Sequence, residues 1–402
     1  MKANRWVYAI AGVIIMLFAG LIYAWSIFSG PIKSEFSTWT SAQLSLTFTI
    51  CMTCFCLGSL IAGLVSKKVN VKVNIYIAAV LFLLGFFIAS KTTSLMMLYI
   101  GYGVLCGLAS GLTYNSVMST MSKWFPERQG LISGILLMGF GFGSMIIGSA
   151  YTALTPATVK GWHTSFLYLG FILAVILIIG SFFFVEPGED FVPPSNPKAK
   201  KSKNREDGLD LTPGQMIKRP SFILYFLWST LLSAAGLALI SQANPFAQEI
   251  GPDINAGTIA FVVGLISICN GVGRVIFGAL FDSIGRKLTM LIINVAFLLS
   301  IGILILAITT NSFTLVVVGF VCMGFSYGGI TPTNSAFTNA FYGPTNYAVN
   351  FSIVMLALIF ASFGGTIAGA LYDASGSYLS TLFLMIGAGG AAFVCYLFIK
   401  KP

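Results

Sequence analysis

Charge is what this sequence has least of. Asp, Glu, Lys and Arg make up 8% of its 402 residues, against about 25% in a soluble domain. A soluble globular protein is therefore excluded. Histidine occurs once, as His163 beside Trp162 at the edge of an apolar run, and is read as an interfacial residue rather than a proton relay. No Asp or Glu falls in the middle of an apolar run; Glu249, Asp253 and Asp373 all stand at run ends. A built-in carboxylate proton carrier is thus absent from the sequence. The seven cysteines all lie in apolar runs, and Cys51, Cys54 and Cys56 have no His or acidic neighbour. They are small hydrophobes rather than metal ligands, and say nothing of redox compartment. No nucleophile–base pair appears either, so neither an enzyme, nor a metal, nor a cofactor is expected.

What the sequence does have is length of apolar run. Hydrophobic residues reach 57% and the mean hydropathy is +0.91. Cutting the runs at loops rich in Pro, Gly or charge gives twelve spans, near 7–30, 41–65, 74–90, 95–121, 130–154, 164–185, 221–246, 256–281, 288–310, 313–340, 346–371 and 378–399. Each is close to the ~20 residues that cross a ~30 Å hydrocarbon core. Only helices or closed barrels satisfy the backbone in lipid, and continuous apolar runs select helices. The first span is too long for a signal peptide and is read as a start-transfer helix.

The basic residues fix an orientation. Of 22 Lys and Arg, eighteen fall at the N-terminus, in the even-to-odd loops and in the tail. Only Lys33, Lys91 and Lys160 fall on the other side, and Arg274 belongs to neither. Positive loops stay in the cytoplasm, so both termini are expected inside, in a plasma (inner) membrane. The net charge of +10 is thus a matter of topology, and no nucleic-acid partner is expected. The polar stretch 186–220, with the basic run 198–205, divides the chain into halves 1–185 and 221–402 and is read as a solvated cytoplasmic linker facing lipid headgroups. Its end, with Thr212 before Pro213, predicts a capped interfacial helix.

Arg274 is the one charge buried in a span. It lies about eight residues, or ~12 Å at 1.5 Å per residue, from the inner end of span 8. A charge at that depth costs at least ~2.5–3.5 kcal/mol and normally faces a cavity or partner. No acid stands within two turns before it, and Asp282 is two turns after. Asn270, one turn earlier, shares its face. A guanidinium fork suits a carboxylate, so an anion from outside the chain is the expected partner. Tyr114 with Asn115 follows the glycines Gly103, Gly107 and Gly111 of span 4, Tyr327 lies in span 10, and Tyr23 in span 1. Each is a candidate to close a small site and donate its hydroxyl. The glycines themselves predict a close-packed helix face.

Between spans 8 and 9 stand Gly278, Asp282, Gly285, Arg286 and Lys287, which match the G-x-x-x-D-x-x-G-R-[RK] pattern of the major facilitator superfamily. A glycine turn, an aspartate that pairs across helix ends and basic residues at the inner surface are its mechanical content. The place between spans 2 and 3 has Lys67 for the aspartate and Asn70 for the second glycine, a degenerate copy. More specifically, Tyr23-Ala24-Trp25-Ser26, Tyr114, Trp124-Phe125-Pro126-Glu127-Arg128-Gln129-Gly130, Asn270, Arg274, Tyr327 and Asn346-Tyr347 resemble the oxalate:formate antiporter family of facilitators, over nearly the whole chain. The resemblance implies a fold of two six-helix bundles, an all-α membrane protein of twelve transmembrane helices, with Arg274 at the substrate arginine and small carboxylates as cargo.

One departure narrows the cargo. Members that carry the dianion oxalate place a lysine in span 11, where this chain has Val354 and neither Lys nor Arg. One buried positive charge balances one carboxylate, and an extra uncompensated charge costs several kcal/mol. The expected function is alternating-access transport of a monocarboxylate such as lactate, pyruvate or formate, by a monomer, with protons or a second anion as the coupled species. An oxalate/formate exchanger and a transporter-like sensor are the alternatives. A carrier of zwitterions lacks the mid-membrane carboxylate to hold an amine.

Overall fold

The computed structural model describes residues 4–156, 158–182, 184–188, 191–192, 194 and 209–401; the basic run 198–205 lies outside them. Among the described residues every regular element is helical. Eleven helices among the described residues are long and apolar enough to cross a membrane. We call the first seven α1 (Arg5–Glu35), α2 (Gln43–Val65), α3 (Val71–Ser90), α4 (Leu95–Trp124), α5 (Pro126–Leu154), α6 (Gly161–Phe182) and α7 (Pro220–Ile250). The next, Gly257–Thr309, would be ~80 Å long at 1.5 Å per residue, far more than one crossing. It is broken at Gly285, where φ is 81° and ψ 175°, and so holds two spans, α8 (257–284) and α9 (286–309). After these come α10 (Phe313–Tyr342), α11 (Tyr347–Ser375) and α12 (Tyr378–Phe398).

Several of these helices are irregular where apolar periodicity alone predicts continuity. A 3₁₀ turn, Gly20–Ala24, interrupts α1. The segment Tyr99–Cys106 of α4 is π-helical. In α10 the regular helix stops at Gly328 and resumes at Ile330, and α11 breaks near Leu356 and again before Gly364. Hydropathy measures the solvent of a segment and carries no record of its hydrogen-bond register. Such departures recur at functional sites, and two of these include or adjoin Tyr23 and Tyr327.

The chain forms two compact units. The first comprises Met1–Pro126, Gly139–Pro193 and Phe351–Met355; the second comprises Glu127–Met138, Pro194–Asn350 and Leu356–Pro402. Helix α5 therefore contributes its first turns to unit 2 and its remainder to unit 1.

In unit 1 the glycine face of α4 does what its spacing predicts. A Cβ on Gly107 or Gly111 would stand 2.5 Å from the Cys51 carbonyl oxygen and 2.0 Å from that of Phe55, so α4 lies backbone to backbone on α2. Further along the unit, His163 has Nε2 2.7 Å from Glu35 Oε2 and Nδ1 2.7 Å from the Ser90 carbonyl. Trp162 Nε1 donates to the same Glu35 oxygen at 2.8 Å. The single histidine thus ties the ends of α1 and α3 to the start of α6. In unit 2, the capped helix expected near Thr212 is present as the single turn Pro213–Met216, with the Thr212 N–H donating to Gln215 Oε1 at 3.0 Å.

Candidate functional site

Arg274 is half-buried on α8. Its Nε donates to Asn270 Oδ1 at 2.9 Å, confirming the shared face, and one terminal nitrogen donates to the Leu137 carbonyl of α5. Both acceptors are neutral oxygens. The surrounding backbones are close because glycines allow it. A Cβ on Gly134 of α5 would stand 2.2 Å from the Arg274 carbonyl oxygen, and one on Gly328 of α10 would stand 2.3 Å from that of Asn270. Tyr327 precedes Gly328, is 9% exposed, and lies against α7, with its ring 2.3 Å from where a Gly236 Cβ would be. Arg274, Asn270 and Tyr327 are thus gathered in unit 2 by close packing of α5, α7, α8 and α10.

The motif after α8 is also legible atom by atom. Gly278 faces Gly130 at the start of α5, each 2.1–2.2 Å from the Cβ the other would carry. Asp282 accepts from the Gly130 and Leu131 N–H groups, at 2.9 and 2.8 Å. Those N–H groups are first-turn donors without an intrahelical acceptor, at the end of the helix that favours negative charge. The predicted pairing of the aspartate across helix ends is this cap. Gly285 supplies the turn. The basic pair divides. Lys287 is exposed, but Arg286 is 4% exposed and so corrects the expectation of a surface cation. Its guanidinium lies 5.1 Å from the Phe341 ring centroid and donates to the Ile399 carbonyl at 3.4 Å. A guanidinium is weakly hydrated and stacks on aromatic faces, which is how it is accommodated there.

The candidates of unit 1 gather around an aromatic cluster. Tyr23 and Tyr114 both meet the Phe140 ring edge-on, at 5.5 and 5.2 Å between centroids. Tyr23 is half-buried and lines a 480 Å³ cleft with Trp25, Ser26, Lys33 and Phe48. Tyr114 is 2% exposed. It stacks on Phe351, and its hydroxyl donates to Met355 Sδ at 3.8 Å, so in this state it is turned to sulfur. Asn115 goes elsewhere: its Nδ2 donates to Ser59 Oγ of α2 at 3.1 Å, a contact that holds α4 to α2.

Two polar clusters in unit 2 were not singled out from the sequence. Gln129 Nε2 donates to Ser335 Oγ at 2.9 Å, Ser335 Oγ lies 2.5 Å from Ser133 Oγ, and Tyr347 Oη is 2.6 Å from Ser335. All four residues are at least 95% buried. Nearby in sequence, Asn334 Oδ1 accepts from Tyr225 at 2.7 Å and Ser229 at 3.0 Å. The signal was available. Thr331, Thr333, Asn334, Ser335, Thr338 and Asn339 crowd polar groups into one span, where each must find a partner.

The comparisons agree with this anatomy. The sequence matches the Major Facilitator Superfamily over residues 6–251 and again over 226–402. The oxalate:formate antiporter of Oxalobacter formigenes is 27% identical over 379 residues, 92% of this chain and 85% of that protein. Monocarboxylate transporter 12 of Mus musculus is 26% identical over 386 residues, 88% of this chain and 77% of that protein. An uncharacterized MFS-type transporter of Escherichia coli (strain K12) is 28% identical over 355 residues, covering 88% and 85%. The proton:xylose symporter XylE has the same fold, with a TM-score of 0.70 at 14% identity over 98% of this chain and 96% of that one. With the helix count, the Gly278–Asp282–Gly285 motif and the double match in agreement, this chain belongs to the Major Facilitator Superfamily and is a membrane transporter, not an enzyme.

Proposed function

We propose that the protein moves a small monocarboxylate, of the lactate, pyruvate or formate type, by alternating access of the bundles 1–185 and 221–402, coupled to protons or to a counter-anion. It works as a monomer in the plasma membrane with both termini in the cytoplasm. Arg274 binds the carboxylate, Asn270 orients the guanidinium, and Tyr327, Tyr114 and Tyr23 complete the site, with Asn115 supporting α4. The observation that carries this reading is the bonding of Arg274. Its N–H groups are held by an amide oxygen and a backbone carbonyl, and a carboxylate is the stronger, charge-assisted acceptor. An arriving carboxylate competes with these two neutral oxygens for the N–H groups they hold.

The charge count favours one carboxylate over two, because α11 holds neither Lys nor Arg and an unmatched buried charge is costly. The second reading, oxalate/formate exchange, draws on the named activity of the Oxalobacter relative. Uptake of labelled lactate, pyruvate, formate and oxalate into proteoliposomes separates the two. Saturable monocarboxylate uptake with oxalate at background is expected. Oxalate transport equal to that of the monocarboxylates sinks the single-charge reading.

A further inference from the structure

The 480 Å³ cleft at Tyr23 runs between α1 and α2, inside unit 1. Tyr23, Ser26, Gly30 and Lys33 follow one another at spacings of three and four residues, which sets them on one face of α1. From Tyr23 to Lys33 that face spans ~15 Å at 1.5 Å per residue. Ser45 lines the cleft from α2. Ser26 and Ser45 are exposed and Lys33 is half-buried. A Cβ on Gly30 would meet nothing within 4 Å, so the face is open along its length. Lys33 is the one charged residue of the lining. Its ammonium donates to the Ser37 carbonyl at 3.2 Å and to the Trp39 carbonyl, both neutral oxygens of the α1–α2 loop. An ammonium carries one donor more than these two acceptors use. Glu35 is two residues away, a spacing that does not share a helix face, and it is engaged by Trp162 and His163.

We propose that this cleft is an entry site for the small carboxylate, in which Lys33 captures the anion and the Ser26 side of α1 leads it toward Tyr23. The inference rests on the carboxylate reading of the cargo and adds to it a second cation, near the end of the path rather than in the substrate site. The proposed topology places Lys33 at the outer face of the membrane. A cleft whose charge is of one sign concentrates the field and raises the local concentration of the opposite ion. A carboxylate is a stronger acceptor for the ammonium than a backbone carbonyl, so the loop oxygens can be exchanged for it. A volume of 480 Å³ suits a drug-sized ligand and exceeds what a three-carbon acid fills, which fits passage rather than tight binding. Hydroxyls at Ser26, Ser29 and Ser45 give the anion neutral donors on the way, with no further cation to trap it.

Two measurements on the full chain test it. In proteoliposomes, Lys33→Gln should raise KM for lactate on the order of tenfold, the low end of what charge focusing gives, with kcat unchanged, and Lys33→Arg should restore it. Wild-type KM should rise with sodium chloride, because salt screens exposed charge, and the Gln variant should lose that dependence. A lysine that only clips the loop would lower the unfolding midpoint and leave the salt dependence of KM in place, and that result overturns the proposal. The second measurement needs no transport. Acylation of Lys33 by an amine reagent, read by peptide mass spectrometry, should be slowed by lactate and not by propane-1,2-diol, its uncharged analogue. Arg274→Ala should keep this protection while losing uptake. Protection of Lys33 in a wild type that takes up no lactate would sustain the cleft and sink the carboxylate reading of the cargo. Lactate that fails to protect Lys33, or protects it only when Arg274 is present, overturns the entry site.

Discussion

The α2–α3 and α8–α9 junctions occupy matching places in the two halves and solve the same problem differently. At the second junction one residue makes the turn: Gly285, at φ 81° and ψ 175°, a region open essentially to glycine alone. Asp282 then reaches back to cap α5. At the first junction the chain turns through Ser66–Asn70 with ordinary bonds, the Lys68 and Val69 N–H groups donating to the Val65 carbonyl at 2.8 and 2.9 Å. Asn70 sits at φ −62° and ψ 139° and caps α3 by accepting from the Lys72 N–H at 2.9 Å. No left-handed residue is required there, so the second glycine of the motif has no task and an N-cap replaces it. The lesson extends inward. Unit 2 carries the charges Arg274, Asp282 and Arg286 away from water. Unit 1 fills its interior with aromatic rings, hydroxyls and sulfur and keeps Lys33, Lys67, Lys72 and the His163–Glu35 pair near its helix ends.

The largest effect that follows is at Arg274. Arg274→Ala should lower carboxylate uptake at least ~100-fold, the scale of about 2.7 kcal/mol lost with one partner of a desolvated charged contact. Reconstituted uptake measured beside a normal thermal unfolding midpoint checks it. Uptake within a few-fold of wild type would move the charge-bearing site out of unit 2 and break the comparison at its centre.

Next come the junctions. Gly285→Asn should cost about 1–3 kcal/mol, since asparagine tolerates αL but not ψ near 180° at positive φ. The reciprocal Asn70→Gly should cost only a few tenths of a kcal/mol, because glycine is itself an acceptable N-cap. Thermal unfolding of both variants in the same detergent tests the asymmetry, and equal destabilisation would mean that the two turns are not distinct. Asp282→Asn keeps one acceptor oxygen and loses the charge at the start of α5, so about 1–2 kcal/mol is expected. A midpoint unchanged by this substitution would remove the cap from the account of the motif.

How much of this was legible beforehand follows from what hydropathy and spacing encode. The spans, their number and the motif were readable because each is a local pattern. Arg274 was readable because a lone charge in lipid is costly, and Asn270 because i,i+4 residues share a face. The Leu137 carbonyl was not, since any residue has one and only tertiary packing selects it. The burial of Arg286 was hidden for the same reason: its position at a helix junction suggests water, and Phe341 is 55 residues away in sequence. The Gln129–Ser133–Ser335–Tyr347 cluster was half legible. The polar density of α10 announced buried partners, but not which helices would provide them. Asn115 adjoins Tyr114 in sequence, yet consecutive helical residues point apart, and it serves α2 instead.

The smallest effect sharpens the comparison most. Tyr114→Phe keeps the rings against Phe55, Phe140 and Phe351 and removes only the hydroxyl, whose acceptor here is the Met355 sulfur at 3.8 Å. A thioether is a weak acceptor, so stability should change by less than about 0.5 kcal/mol. If the Tyr114 hydroxyl takes no part in binding, KM for the transported monocarboxylate should stay within about threefold, about 0.65 kcal/mol. A KM raised tenfold with an unchanged unfolding midpoint would mean that the hydroxyl leaves the sulfur for the substrate during transport. Tyr114 would then be a donor to the substrate, and the contrast between the charges inside unit 2 and the aromatic interior of unit 1 would have to be redrawn.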